Sequence, residues 1–267
     1  MKKTFDAWKW SVALVARSPL TVLGLAVLAA LWALAGDQWL ALPESSAWML
    51  LLSFLWALAQ ILIAVSVLAG TAASAAEAAA FGTPPTHGLA FITFNRNLLA
   101  RTALLALPAA LLVFMIAQIF GWVDAHSVEV GSFLTFHSEK PVSHIVIERI
   151  FWWIESALWI VVWGFLLTFL IVWLRSGWQE ALRQGRRVFV NNFGRNSFFT
   201  VLAGVAVFGG LSYFLVNWHP VVQPGFWDYT QAALRLGVGL LLLAAGWFFT
   251  LLALAKLNPR QDSDTHP

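Results

Sequence analysis

Six times in this chain, about twenty or more residues pass with no Asp, Glu, Lys or Arg, or with one at most. An apolar stretch of about 20 residues is what a helix needs to cross the hydrocarbon core of a bilayer. A charge at the centre of such a helix costs about 2.5–3.5 kcal/mol on insertion scales, so charge-free windows mark the spans. They fall at about 18–36, 46–70, 102–122, 150–174, 197–218 and 236–256, the fourth holding Glu155. The predicted fold class is an all-α integral membrane protein of six transmembrane helices, with residues 1–257 forming one polytopic domain. Residues 258–267, short and polar, are expected to be a disordered cytoplasmic tail.

Composition removes the main competitor to this reading. Only 11% of residues are charged and 60% are apolar, whereas a soluble domain is about a quarter charged. The windows and the short segments that join and flank them use all of the 267 residues, which leaves no room for a soluble catalytic domain. There is no cysteine, so disulfides, cysteine-ligated zinc, iron–sulfur clusters and thiol catalysis are excluded from this chain.

Orientation follows from where Lys and Arg lie. With the N-terminus inside, the inner side collects Lys2, Lys3, Lys9, Arg17, Arg96, Arg101, Arg175, Arg183, Arg186, Arg187, Arg195, Lys256 and Arg260, and the outer side keeps Lys140, Arg149 and Arg235. Asp37, Glu44, Asp124, Glu129, Glu139, Glu148 and Asp228 lie outside. Both termini are therefore expected in the cytoplasm. Met1 to Asp37 also has the outline of a signal peptide with Ala33-Leu34-Ala35 as its cleavage site. Its long basic region and near-spanning apolar run favour a retained first helix.

Between the spans the chain carries amphipathic segments. Thr4 to Ala16 places Phe5, Trp8, Val12 and Val15 at spacings near three and four, the pattern of an interfacial helix or of an extension of the first span. Arg175 to Asn196 sets Trp178, Leu182, Phe189 and Phe193 among arginines, which suits a helix at the inner surface with Arg183, Arg186, Arg187 and Arg195 on lipid headgroups. Leu68 to Ala80 is rich in Ala, Gly and Ser, as close helix packing requires, and ends at Gly82-Thr83-Pro84-Pro85. Pro108 is expected to kink the third span. The stretch from Trp122 to Arg149 reads as a short β-hairpin turning at Ser138-Glu139-Lys140-Pro141, or as an early start of the fourth helix. Eight tryptophans, Trp122, Trp152, Trp153, Trp159, Trp163, Trp173, Trp218 and Trp227, mostly sit near span ends, where the indole suits the interface.

Phe94-Asn95-Arg96-Asn97 and Phe193-Gly194-Arg195-Asn196 agree at three of four positions and both precede a span, while Thr21-Val22-Leu23 matches Thr200-Val201-Leu202. Either the unit is repeated as three helical hairpins, or selection for basic inner boundaries gives six helices similar edges. This order of features, an amphipathic lead-in ending in Arg-Asn, paired spans and a small-residue extension of the second helix, resembles bacterial six-helix membrane domains of unknown function. One such group accompanies glycerophosphodiester phosphodiesterases. The resemblance covers most of the chain and implies a multi-pass protein of a bacterial inner membrane. The phosphodiesterase domain has no counterpart in these residues, so no catalytic residue is carried over.

Few groups are placed to do chemistry. Glu155 is the acidic residue within a span, and an ionisable group there is by default a functional hypothesis; it could instead pair with Arg235 or meet water near the outer interface. Gln60 and Gln118 are the other large polar groups in spans, where interhelical hydrogen bonding accounts for them. His137, His144 and Glu148 lie together on the outer side, short of the three or four convergent ligands a metal needs. No His-Glu-x-x-His helix, phosphate-binding loop or Gly-x-Ser-x-Gly elbow is present. No catalytic residue, cofactor, metal or nucleic-acid partner is implied. The expected partners are the bilayer with its anionic headgroups and, for a scaffold, another membrane protein. The reading that follows is a membrane-embedded accessory, scaffold or assembly subunit without enzymatic activity. The alternative is a small-solute or lipid transporter whose path passes Pro108 and Glu155. A reporter fused after Lys256 should be active only as a cytoplasmic fusion; a periplasmic signal from that fusion overturns the topology.

Overall fold

A computed structural model describes residues 2–41, 46–83, 91–137, 143–193, 196–218 and 226–258, the side chains of 124, 187–189, 191–193 and 226 excepted. Every described element is helical: α1 Lys2–Ala16, α2 Pro19–Leu40, α3 Ala47–Phe81, α4 Arg96–Ala125, α5 Ser127–His137, α6 His144–Ser176, α7 Trp178–Phe193, α8 Asn196–Ala203, a π-helical turn Gly204–Gly209, α9 Gly210–Asn217 and α10 Phe226–Leu257. Six helices are long and apolar enough to cross a membrane: Pro19–Leu40, Ala47–Phe81, Arg96–Val123, His144–Ser176, Asn196–Asn217 and Trp227–Leu257. The sequence-predicted spans fall inside them to within a residue. Several helices run well beyond one membrane thickness, α3 at 35 residues and α6 at 33. The expected tail, 259–267, lies outside the described residues.

Local signals set the helix ends. Pro19 begins α2, where its missing N–H is harmless. The Ser46 hydroxyl accepts from Met49 N at 3.3 Å to cap α3. Asn95 caps α4, its carboxamide oxygen accepting from Asn97 N at 3.0 Å. At the other end of α3, Gly82 adopts φ +73°, the left-handed conformation that closes a helix and that a side chain disfavours. The helix of α4 continues through Pro108.

The β-hairpin expected between Trp122 and Arg149 is not formed. Residues 127–137 are helix α5, and 144–149 are the first turns of α6, as the early-start alternative had it; the turn expected at 138–141 lies outside the described residues. A two-stranded ribbon at a membrane surface leaves edge N–H and C=O groups unpaired, whereas a helix satisfies its own. Gly131 lets α5 lie close on α6, where a Cβ would stand 3.2 Å from Ile147 and 3.6 Å from the His144 backbone.

The bundle is organised around α10, which touches α1, α2, α3, α6, α8, α9 and the π turn. Leu251, Leu252, Ala253, Leu254 and Ala255 are all fully buried. Five consecutive residues cover every side of a helix, so this end of α10 is enclosed all round. Lys256 stacks over Trp10 at 5.1 Å, which brings the two ends of the chain together. This is the terminal end of the bundle, and the opposite one is the distal end. The apolar windows of α6 and α10 are 50% and 61% buried against 6% for α3 and 11% for α4, so the first two form the centre and the others the rim.

Close approach of helices replaces the hydrophobic effect here, because lipid tails are as apolar as leucine and reward only packing and hydrogen bonds. The fifth and sixth spans interlock through glycine. Gly204 lies against Thr250, Gly246 against Phe208, and Gly239 against Ser212 and Val216. The positions used on the fifth span, 204, 208, 212 and 216, are four apart. In an α-helix such a row drifts by about 40° per step; the wider π turn at Gly204–Gly209 takes up that drift and keeps the row on α10. Ser212 then donates to Gly239 O at 2.9 Å.

A wedge holds α2 to α3. Phe91 is buried against Gly24 of α2 and Gly70 of α3, and Ser66 of α3 donates to Thr93 O at 2.7 Å. Non-helical backbone at this depth is tolerated because protein surrounds it. The small-residue stretch around it is the packing surface its composition implied: Ala69, Ala72, Ala75 and Ala78 are buried.

Gly70 gives the sharpest test of this packing. A Cβ there would lie 2.6 Å from Phe91 O and 2.7 Å from Phe91 C, backbone atoms that cannot rotate away. Gly70→Ala should destabilise the protein by about 1–3 kcal/mol, outweighing the roughly 1 kcal/mol that alanine gains in a helix. Gly121→Ala, at a site with open space, should keep that gain. Thermal unfolding in detergent reads both, and a Gly70→Ala protein as stable as wild type contradicts the wedge.

Candidate functional site

Glu155, Arg235, Gln60 and Gln118, the polar groups singled out in the spans, do not meet each other. Glu155 accepts from Trp159 Nε1 on its own helix at 3.1 Å. Arg235 does not reach it: Nε donates to Gln231 O at 3.3 Å, and Nη1 is buried with no partner among the described residues. Gln60 lies near Gly36 of α2, its Nε2 likewise buried without a partner. Gln118 is exposed on α4. No hydrogen bond joins any two of the four.

What the intramembrane donors and acceptors do instead is tie helices together. Trp39 Nε1 donates to Ser53 O at 3.0 Å and Ser53 Oγ at 2.7 Å, Trp56 Nε1 to Ala35 O at 3.0 Å, and Trp32 Nε1 to Gln60 O at 3.3 Å. These rungs hold the α2–α3 hairpin along its distal half. Trp247 Nε1 reaches Thr71 Oγ1 at 3.3 Å. At the terminal end, Thr4 donates to Asn196 Oδ1 at 2.7 Å and Trp8 Nε1 to Thr200 Oγ1 at 2.9 Å. Helix α1 thus lies on α8 and α10 with Thr4, Ala7, Ser11 and Leu14 buried, while Phe5 and Val12 stay exposed on another face.

The basic residues of the terminal end remain at the surface. Lys2, Lys3, Lys9, Arg17, Arg96, Arg101, Arg183 and Arg186 are exposed. Arg187 belongs to α7, and Arg195 lies outside the described residues; neither side chain is described. Helix α7 packs on α6 through Ala181, fully buried in a cluster with Phe169 and Val172, and leaves Trp178 and Leu182 exposed. Arg183 pairs with Glu180 at 3.1 Å in an exposed bridge that adds little stability. Arg175 donates to Asn258 O at 3.1 Å, beyond the C-terminus of α10, where a cation meets the helix dipole.

At the distal end a groove of about 610 Å³ is lined by Ile145, Glu148, Arg149, Trp152, Trp153 and Glu155. All come from α6. Glu148, Trp152, Glu155 and Trp159 follow at spacings of four, three and four, which puts them on one face, carboxylate alternating with indole. Glu148 accepts from Ser127 Oγ of α5 at 3.2 Å. His137 is on α5 and bonds within it, Nδ1 to Phe133 O at 2.9 Å, and His144 lies beside Gly131 in a second groove. Among the described residues no three His, Cys, Asp or Glu side chains gather to hold a metal.

No protein-family model, curated protein or solved structure matches this chain. The site must be read from its own chemistry. Sequence reasoning singled out Glu148, Glu155 and Trp159 separately, and a helical wheel of 144–163 joins them. The rungs at Trp32, Trp39 and Trp56 carried no sequence signal beyond the residue type. They yield a test: Trp39→Phe removes the bonds to Ser53 and should cost about 0.5–1.5 kcal/mol. Trp48→Phe, at an exposed indole, should be neutral. Equal unfolding midpoints for the two variants would remove the rungs from the stability of the hairpin.

Proposed function

We propose that this chain is a membrane-embedded accessory, scaffold or assembly subunit, without catalytic activity of its own. The observation that supports this is the use made of its polar groups. In the spans, hydroxyls and indoles bond to neighbouring helices at Ser53, Thr71, Thr200 and Ser212, and to the non-helical backbone of Thr93 at Ser66. A transport path needs polar groups that converge along the depth of the bundle, and Gln60, Gln118 and Glu155 share no bond. A protein that assembles others needs a rigid frame with unoccupied helix faces. Here α6 and α10 supply the frame, and the distal parts of α3 and α4 supply the faces, with Leu51, Phe54, Leu55, Leu107, Leu111 and Phe114 all exposed.

In this reading the protein sits in a bacterial inner membrane with both termini cytoplasmic. The exposed basic residues of the terminal end hold anionic headgroups, each worth about 1 kcal/mol near such a surface. Exposed Phe5, Trp178 and Leu182 enter the acyl boundary beside them. Tagged protein isolated from its native membrane in mild detergent should carry one other membrane protein in fixed stoichiometry, and deleting this chain should lower that partner's level. Repeated isolation of the chain alone, with no membrane protein depleted by its deletion, refutes the proposal.

A further inference from the structure

We propose that the distal groove on α6 is a binding site for the headgroup of a zwitterionic aminophospholipid, with the ammonium on the Glu148–Trp152–Glu155 face and the phosphate on Arg149. The inference stands apart from the scaffold reading and draws on different residues.

The groove offers both halves of such a headgroup a partner. Among the described residues Glu148 and Glu155 each receive a single hydrogen bond, from Ser127 and Trp159, and each on Oε1, which leaves Oε2 to accept from an ammonium. Trp152 lies between them, one turn from either, and presents an exposed indole whose face attracts a cation. Arg149 is exposed and makes no ion pair or hydrogen bond with the described residues, so its planar fork is available for a phosphate. In an aminophospholipid, phosphate and ammonium are separated by two carbons. Arg149 and Trp152 are one helical turn apart, which suits that separation.

Charge selects among headgroups. Two carboxylates against one guanidinium leave the groove negative. An anionic headgroup would meet repulsion from Glu148 and Glu155 and would bring no cation for Trp152. The site thus differs in sign from the terminal end, with its exposed lysines and arginines. Placement favours a lipid over a free solute. Below the groove, α6 continues toward the other end of the bundle with Trp163 exposed eleven residues from Trp152 and therefore on the same face, an apolar surface along which an acyl chain can lie while its headgroup occupies the groove.

The test uses the full chain in detergent and in nanodiscs, with native mass spectrometry counting retained lipid. The probes are phosphatidylethanolamine, phosphatidylglycerol and soluble glycerophosphoethanolamine. Phosphatidylethanolamine should be retained preferentially, and the Glu148→Gln/Glu155→Gln pair should weaken it about ten-fold while leaving phosphatidylglycerol at the terminal end unchanged. Arg149→Gln should weaken it comparably, and Trp152→Phe should retain more binding than Trp152→Ala. Glu148→Gln alone, at an exposed position, is the fallback should the double variant unfold, and it should give a smaller loss of the same selectivity. Competition by glycerophosphoethanolamine at concentrations near that of the lipid would identify the headgroup alone as ligand and overturn the lipid assignment. Equal retention of the two lipids, or phosphatidylethanolamine binding unaffected by all of these variants, overturns the site.

Discussion

The enclosure of one helix end determines the rest of the bundle. From Ala244 to Ala255, α10 is surrounded by α1, α2, α3, α6 and α8, with Phe248, Leu251, Leu252 and Leu254 fully buried. In water such burial would be favoured by the removal of apolar surface. Within lipid that driving force is absent, and what remains is contact at van der Waals distance together with hydrogen bonds. Contact at that distance requires small residues opposite large ones. Gly204, Gly239 and Gly246 serve the seam with the fifth span, Gly24 and Gly70 serve the seam with the Phe91 wedge, and Thr4, Ala7 and Ser11 serve the face of α1. Replacing any of these with a bulkier residue separates two helices rather than filling a hole.

These seams lie mostly toward one end. The distal half of α3 exposes residues on nearly every side from Leu50 to Ile63, and its contact with α2 is carried by three indole N–H groups and little else. A donor without a partner in hydrocarbon costs several kcal/mol, so an indole opposite a backbone carbonyl gives a hairpin a fixed register where close packing does not. The two halves of the molecule therefore hold together by different means: shape complementarity at the terminal end, and scattered hydrogen bonds at the distal end. Rearrangement, partner binding and lipid entry are easier where the fewer and weaker contacts lie.

Much of this was legible in the sequence because the constraint is severe. Charge-free windows placed all six long apolar helices, since the bilayer penalises charge at the centre of a crossing helix. The stop at Gly82 and the buried stripe of Leu68–Ala80 followed from residue type. Other features depended on what lies opposite. Phe5, Trp8, Val12 and Val15 marked the apolar side of α1 by their spacing, whereas Thr4, Ala7 and Ser11 form its buried face, with Thr4 bonded to Asn196 and the neighbouring Trp8 to Thr200. The run Val128 to Phe136 has strand-like composition, yet it has no strand to pair with among the described residues and forms α5. The π turn has no sequence mark apart from its glycines; it is the spacing of four imposed by α10 that calls for it. Arg235 and Glu155 carried opposite charges at similar expected depth, which made a pair plausible, but each is engaged by a residue four away on its own helix.

The α6 groove shows how helical periodicity creates a site without bringing distant elements together. Tryptophan at a span end and a carboxylate at a span end each have an ordinary explanation as interface residues. Their alternation at four, three and four is a different matter, since it sets both carboxylates and both indoles on a single face of α6. On that face neither carboxylate pairs with a cation among the described residues: Arg149 is adjacent in sequence to Glu148 and therefore points about 100° away around the helix. The face remains negative and aromatic, and the guanidinium flanks it. Because all of these groups belong to one helix, their relative placement survives any rearrangement of the loosely held distal half, and α5 needs only Ser127 to keep Glu148 in line. A site built this way is kept by the backbone hydrogen bonds of α6 itself, whatever partner or lipid occupies the faces around it.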